Sequence, residues 1–399
     1  MSTPFRFKNA DNTTVDFEDY YVRADYFRSG NLWAVGSASS TFGMLGDGTT
    51  VGKSSPVQTT AYGTNWVSVS GGYRAAHAIK SDGSLWNWGM AQFGVMGDST
   101  TSNRSNPSNG ILGENNWNQV SMKNRGTTAA IKTDGTLWLW GRNSYGSLGD
   151  NTIVNKSSPV QTIAFGTNWK QVLAGQNNSA AVKTDGTLWI WGLGTAGQLG
   201  DNTIVSKSSP VQTIAGGTNW KSVAGTGGAG LSGSIAAIKT DGTLWIWGGN
   251  ANGQLGDNTS VTSRSSPVQT VAFGSNWKSV SCGYSHTAAI KTDGTLWTWG
   301  INSSGQLGDN TTTSRSSPVQ TIAGGTNWKS VACGSNSSAC IKTDGTLWVW
   351  GNNANGQLGD NTIVSKSSQV QTIMYGTNWK KVDFGTSAMY AIQYQDDYQ

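Results

Sequence analysis

Catalytic and charged side chains are what this sequence has least of. Its 399 residues include two His (77 and 286) and two Glu (18 and 114), and charged residues make up only 12%. That is about half the usual share of a soluble protein. General acid–base catalysis draws on His, Glu or Asp in tuned pairs, and here nearly every carboxylate is an Asp in a Gly-rich turn, so no enzyme is expected. Cys282, Cys333 and Cys340 form no disulfide framework, and no Cys-x-x-Cys pair marks a zinc site. Neither metal nor cofactor is expected. The opening MSTPFRFKNADNTTVDFEDYY has no apolar signal-peptide core, and no later stretch approaches about 18 apolar residues. The expectation is a chain made in a cytoplasm, without membrane insertion or a standard export signal. Helical periodicity is also missing.

What is abundant is Gly (54) and Trp (20), and an internal repeat explains the Trp. Leu-Trp-x-Trp-Gly starts at Leu85, Leu137, Leu188, Leu244, Leu296 and Leu347, with a weaker copy at Leu32. A second marker, Asn-Trp, ends at Trp66, Trp117, Trp169, Trp220, Trp277, Trp328 and Trp379. The two markers account for all 20 Trp, so the aromatic excess belongs to the repeat and not to a ligand box.

Each unit reads as four short strands. Around Leu296 these are Lys278–Ser281, Thr287–Thr292, Leu296–Trp299 and Pro318–Ile322, with a hairpin at Asp293-Gly294. Four strands in about 50 residues is the arithmetic of a propeller blade. The chain starts and stops mid-unit, so the seventh blade should draw strands from both termini and leave no open edge. Tyr26–Arg28 and Tyr390–Gln393 both suit the place beside Leu32–Val35. The expected fold is all-β: a single seven-bladed β-propeller of four-stranded blades over residues 26–399, after an N-terminal arm at 1–25.

The strings CGYSHTAAIKTDGTLWTWG and NSSGQLGDNT resemble the regulator of chromosome condensation repeat family, over about residues 26–399. The resemblance implies a seven-bladed propeller. Of the family's motif His only His286 remains; Ala75, Gly126, Asn178, Ser337 and Ala388 stand in its place. The best-known members are exchange factors for the small GTPase Ran that bind chromatin, which makes a small GTPase one candidate partner. Against that, the chain has no long basic tail and no large blade-borne wedge.

Most polar motifs have structural readings. Asp-Gly suits tight hairpins, and no Asp-x-Asp cluster gathers oxygens for calcium. The Gly-x-Leu-Gly-Asp strings lack the Lys-Ser/Thr of a phosphate loop and read as blade-to-blade packing turns. His77 and His286 are not repeat equivalents, and Cys282 and Cys333 read as small packing residues. The net charge of +5 is spread around the repeat with no basic run, which argues against nucleic acid as a partner.

Departures from the repeat are the candidate binding features. One is the insertion Gly225–Ser234, with Gly225, Thr226, Ala229, Leu231 and Ser234 as candidate contacts. A second is Asn103–Trp117, where the Ser-Ser-Pro-Val-Gln-Thr strand consensus is lost, with Asn103, Arg104 and Asn109. A third is the aromatic arm, with Tyr20 and Tyr21. Antiparallel order puts the Asp-Gly turns on one face and the long Gly-x-Leu-Gly-Asp loops on the other. The first two departures are expected on the long-loop face.

Near-identical units, low charge and polar loops without an export signal suggest a non-enzymatic virion component of a bacteriophage, assembled in the host cytoplasm and contacting other virion proteins or a host surface receptor. The alternatives are a cytoplasmic exchange-factor-like or chromatin-binding propeller and a bacterial lectin-like surface propeller.

Overall fold

The computed structural model describes residues 7–8, 14–15, 30–61, 63–110, 113–123, 126–225, 233–260, 263–272, 274–373 and 376–394. Seven four-stranded antiparallel blades close a ring. One blade consists of Trp277–Cys282, His286–Lys291, Leu296–Gly300 and Arg315–Gln320, in that order from the axis outward. Blades are named here by the Trp that opens the inner strand. The inner strands touch one another around the whole ring, which puts the axis beside them. Five blades are separate sheets, while the Trp66 and Trp379 blades join through the single pair Gly30–Trp66.

Period-two alternation builds the ring, because each sheet is buried on both faces. In the Trp277 blade, Trp277, Ala289 and Trp299 pack against Ala236, Ile238 and Leu244 of the preceding blade. Ala288, Ile290 and Leu296 face the other way, against Trp328, Cys333 and Trp350 of the next. Trp277 and Trp299 meet edge-on at 6.2 Å, a favoured aromatic geometry. Outer strands carry Pro at their fourth residue in six blades, from Pro56 to Pro318, and Gln369 in the seventh. Proline there discourages pairing with another chain's edge.

The closing blade takes two strands from each end of the chain. Trp379–Phe384 and Ala388–Tyr394 precede Gly30–Gly36 and Lys53–Gln58 in the sheet. The strand beside Leu32–Val35 is therefore Ala388–Tyr394, in register from Gly30↔Tyr394 to Gly36↔Ala388. Tyr26–Arg28 lies outside the described residues. In the arm, Phe7–Lys8 and Thr14–Val15 form a small antiparallel pair.

Two readings need correction. The outer strand of the Trp277 blade is Arg315–Gln320, earlier than Pro318–Ile322, because Gly300 pairs with Arg315 across a bulge. The unit with Asn103–Trp117 loses the consensus letters and keeps an outer strand. Arg104–Asn109 fills it, with Trp86↔Asn109 and Gly89↔Arg104 as in the other blades. The residues that pair with the last Gly of the third strand, as His286 does with Gly300, are Ala75, Thr127, Asn178, Ser234, Ser337 and Ala388. Thr127, not Gly126, is thus the His286 equivalent in its blade, and Ser234 begins a strand.

Candidate functional site

The long loops between third and outer strands are built to lock blades together. Buried Asn302 donates through Nδ2 to Asp309 Oδ1 (3.0 Å) and to Thr311 O and Thr313 O (both 3.1 Å), while its Oδ1 accepts the Leu307 amide at 2.9 Å. Asn143 and Asn353 repeat the pattern. The turn then presses on the next blade. Gly146 has φ +79°, and a Cβ there would lie 2.4 Å from Ser208 Cα, so glycine is required on both counts. The next blade's buried Trp191 donates to Ser147 O at 2.8 Å, and five other blades repeat that bond. The packing role expected of the Gly-x-Leu-Gly-Asp strings is what the structure shows.

This architecture reassigns several candidate contacts. Asn103 Oδ1 accepts the Ala91 amide at 2.9 Å, as Asn155 does for Asn143 and Ser314 for Asn302. Arg104 pairs with Asp98, as Arg264 does with Asp257 and Arg315 with Asp309. Asn109 sits in the ladder opposite Trp86. All three do what their counterparts do in other blades. The segment also changes face: Asn103 is at the long-loop end of its strand, and the chain after Asn109 runs to the Asp-Gly side. The expectation that all of Asn103–Trp117 lies on the long-loop face is therefore overturned. Gly225 ends an inner strand and Ser234 begins the next, so only the connection between them departs from the repeat. Thr226, Ala229, Leu231, Tyr20 and Tyr21 lie outside the described residues.

The long-loop face is least regular at the axis. A surface depression lies there, with Lys123, Tyr284, Ser335, Phe384 and Thr386 in its lining. One wall uses a repeated bond in which a side chain on one inner strand accepts an amide of the next. Ser70 takes Met122, Ser121 takes Ala174 and Ser281 takes Cys333, each at 3.0 Å. In the closing blade Asp383 occupies that place, accepting the Gly71 amide at 3.1 Å and the Ser70 hydroxyl at 3.2 Å, and pairing with Lys123. Two residues earlier Lys381 donates to Ser68 Oγ at 3.2 Å. It is open to axial solvent yet ringed by protein, and that surrounding protein holds its ammonium below the usual lysine range while Asp383 opposes the shift.

The Asp-Gly face carries a relay that the sequence reading missed. Asp293 Oδ1 accepts the Thr295 amide (2.9 Å) and hydroxyl (2.7 Å), and that hydroxyl accepts Trp297 Nε1 at 3.0 Å. The Thr295 amide and hydroxyl hold the Asp293 carboxyl below its usual range. Lys291, two residues before Asp293, stands 5.0 Å from the Trp277 ring centre and 4.7 Å from that of Trp297. Five further lysines, from Lys80 to Lys342, repeat this seat between two indoles. The signal was the recurrence of Lys-Thr-Asp-Gly-Thr-Leu-Trp itself: every polar residue in it has a partner inside the string or one strand away.

The interior titratable groups are shut away from solvent. His77 and His286 are fully buried, and burial lowers both to about 4. His77 Nε2 meets Val95 O and His286 Nε2 meets Ser338 Oγ, both at 3.0 Å. The three thiols are buried, and burial pushes Cys333 up to about 11 and the other two further. Among the described residues no group of three or more His, Cys, Asp or Glu is placed to hold a metal ion.

Fold and surfaces together define a repeat-built β-propeller whose distinctive chemistry lies at its two faces and axis. The regulator of chromosome condensation (RCC1) repeat matches residues 134–182, 185–231, 241–290, 293–341 and 344–388, and this chain belongs to that family. Among its relatives, the ultraviolet-B receptor UVR8 of Arabidopsis thaliana is 30% identical over 82% of this chain and 74% of its own length. The E3 ubiquitin-protein ligase HERC2 of Mus musculus is 26% identical over 80% of this chain, which spans only 7% of that protein. Yeast RCC1 (Prp20), solved bound to Kap60, superposes with a TM-score of 0.80 at 18% identity, covering 100% of this chain and 97% of that one. Human WBSCR16 gives 0.78 at 20% identity, covering 92% and 99%.

Proposed function

We propose that this chain is a non-catalytic protein-binding propeller of regulatory type, making its specific contact through the long-loop face near the axis. The observation that carries this reading is the broken pseudo-symmetry there. Asp383, Lys381 and Lys123 replace or extend uncharged repeat positions, Tyr284 borders the depression, and the ends of the longest connection between first and second strands, Gly225 and Ser234, lie on the same face. A uniform ring offers a partner seven equivalent docking positions, whereas this face offers one. The relatives favour a regulatory binding role over the virion component that composition suggested.

A small GTPase is the second reading, and one structural relative favours it: Prp20p of Saccharomyces cerevisiae, a propeller with binding properties to Gsp1p and histones. The test replaces residues 226–233 with the short turn of the Trp277 blade and, separately, Tyr284 with Ala. Partners captured from the native cell extract by the parent protein should be lost by both variants at unchanged melting temperature. Undiminished capture by both would refute the face assignment. Accelerated release of bound nucleotide from a purified small GTPase would select the second reading.

A further inference from the structure

The Asp-Gly face carries a charge pattern independent of the proposed contact on the opposite side. The residue after the inner-strand Trp is Lys170, Lys221, Lys278, Lys329 and Lys380 in five consecutive blades, and Val67 and Asn118 in the other two. Each of these lysines sits at a ladder break. Trp277 pairs with Lys291 and Ser279 with Ile290, so Lys278 has no strand partner, and the same shift recurs at the other four. A bulge leaves its extra residue unpaired and bends the strand. Four of the five lysines are exposed, and Lys380 is half-buried near the Tyr394 ring. Among the described residues, none of the five takes part in a salt bridge.

The rest of the face is arranged around them. Inner strands of neighbouring blades approach within 8 Å, Cα to Cα, so the five lysines, at one strand position in consecutive blades, follow one arc about the axis. The turn aspartates, such as Asp185, Asp241 and Asp293, are exposed but lie further out, between second and third strands. Beyond them, Ile163, Ile214 and Ile322 are exposed in the connections that leave the outer strands. The face is thus a basic arc inside a ring of alternating Lys and Asp side chains, with an apolar margin.

We propose that this arc binds an extended acidic protein segment bearing carboxylates at alternate positions. Alternate side chains of an extended chain point the same way, about 6.6 Å apart, which is comparable to the approach of adjacent inner strands. A narrow segment follows the arc without touching the aspartates. A nucleic-acid duplex laid across the face meets the exposed turn aspartates as well as the lysines, and like charges in juxtaposition oppose docking. An exposed lysine–carboxylate pair contributes little alone, so affinity depends on several pairs formed together and falls steeply with salt.

The test is fluorescence anisotropy on the full chain with three probes: an alternating Glu-Gly decapeptide, its Gln-Gly counterpart and a short DNA duplex. The Glu-Gly peptide should bind at low salt and dissociate at high salt, while the Gln-Gly peptide should not bind. Replacing all five lysines with Gln should weaken the Glu-Gly peptide about tenfold or more, and replacing them with Arg should preserve binding. Should the five-Gln protein fail to fold, Lys278→Gln with Lys329→Gln must still weaken the peptide measurably. Unaltered binding by the Gln variants overturns the proposal. So does a duplex that binds more tightly than the peptide through the same lysines, which would make the arc a nucleic-acid surface.

Discussion

Deleting Lys381–Gln399 should cost this protein its ring. The deletion removes most of the closing blade's inner strand and the whole of Ala388–Tyr394, which pairs with Gly30–Gly36 along seven residue pairs. Phe384, Met389, Tyr390 and Ile392 are each at most 2% exposed. Burial of a large apolar side chain is worth about 1.5–3 kcal/mol, so the four together represent roughly 6–12 kcal/mol as an upper estimate. Tyr390 adds a hydroxyl bond to Met44 O at 2.9 Å and an edge-on contact with Trp88 at 6.0 Å. The sum is comparable to the whole stability of an ordinary domain, about 5–15 kcal/mol. The truncated chain should therefore be aggregated or largely unfolded by size-exclusion chromatography and thermal melting. Shortening the connection between Gly225 and Ser234, by contrast, should shift the melt only slightly. A monomeric truncation with the parent's melting temperature would show that closure by the two termini does not hold the ring.

Two further predictions concern the interior and the turns. Burial lowers both His77 and His286 to about 4 from an ordinary 6.5. The unfolded chain therefore takes up protons first as pH falls: the His contribution is full above about 6.5 and is lost toward pH 4, by about 3 kcal/mol for each ring. Replacing them with residues the repeat uses elsewhere, His77→Ala and His286→Ser, should flatten urea stability across that window, and a retained slope would assign it to other groups. Thr295→Val should remove the link between Asp293 and Trp297 and lower stability by about 1–3 kcal/mol; an unmoved urea midpoint would mean that water replaces the hydroxyl.

Blade number and closure were legible because the two Trp markers fix strand identity, and period two then decides which side chains enter each inter-blade core. Strand ends were less legible. Gly300 pairs with Arg315 across a bulge, so the outer strand begins three residues before the Pro that marks it in the sequence. The Arg104–Asn109 strand is degenerate in its letters. Its ladder needs backbone and a basic residue opposite the terminal Gly, and RSNPSN supplies both without the consensus letters. A string can lose its consensus and keep its structural role.

The converse error is the more instructive for function. Asn103 and Arg104 stand out by sequence yet do ordinary work, whereas Asp383 and Lys381 pass unnoticed in the sequence and alter the axis. What separates the two cases is the partner. Arg104 answers Asp98 within its own blade, so its charge is satisfied locally. Asp383 stands where other blades use a neutral serine hydroxyl to accept a neighbour's amide, and a carboxylate there needs a cation, which Lys123 of another blade supplies. The substitution makes one inter-blade contact depend on charge and leaves Lys381 beside it with only a hydroxyl and the same carboxylate for company. In a ring of near-identical units, such positions make one blade chemically distinct from the rest. They are found by asking, at each repeat position, which residue answers the side chain and not how far its letter departs from the consensus.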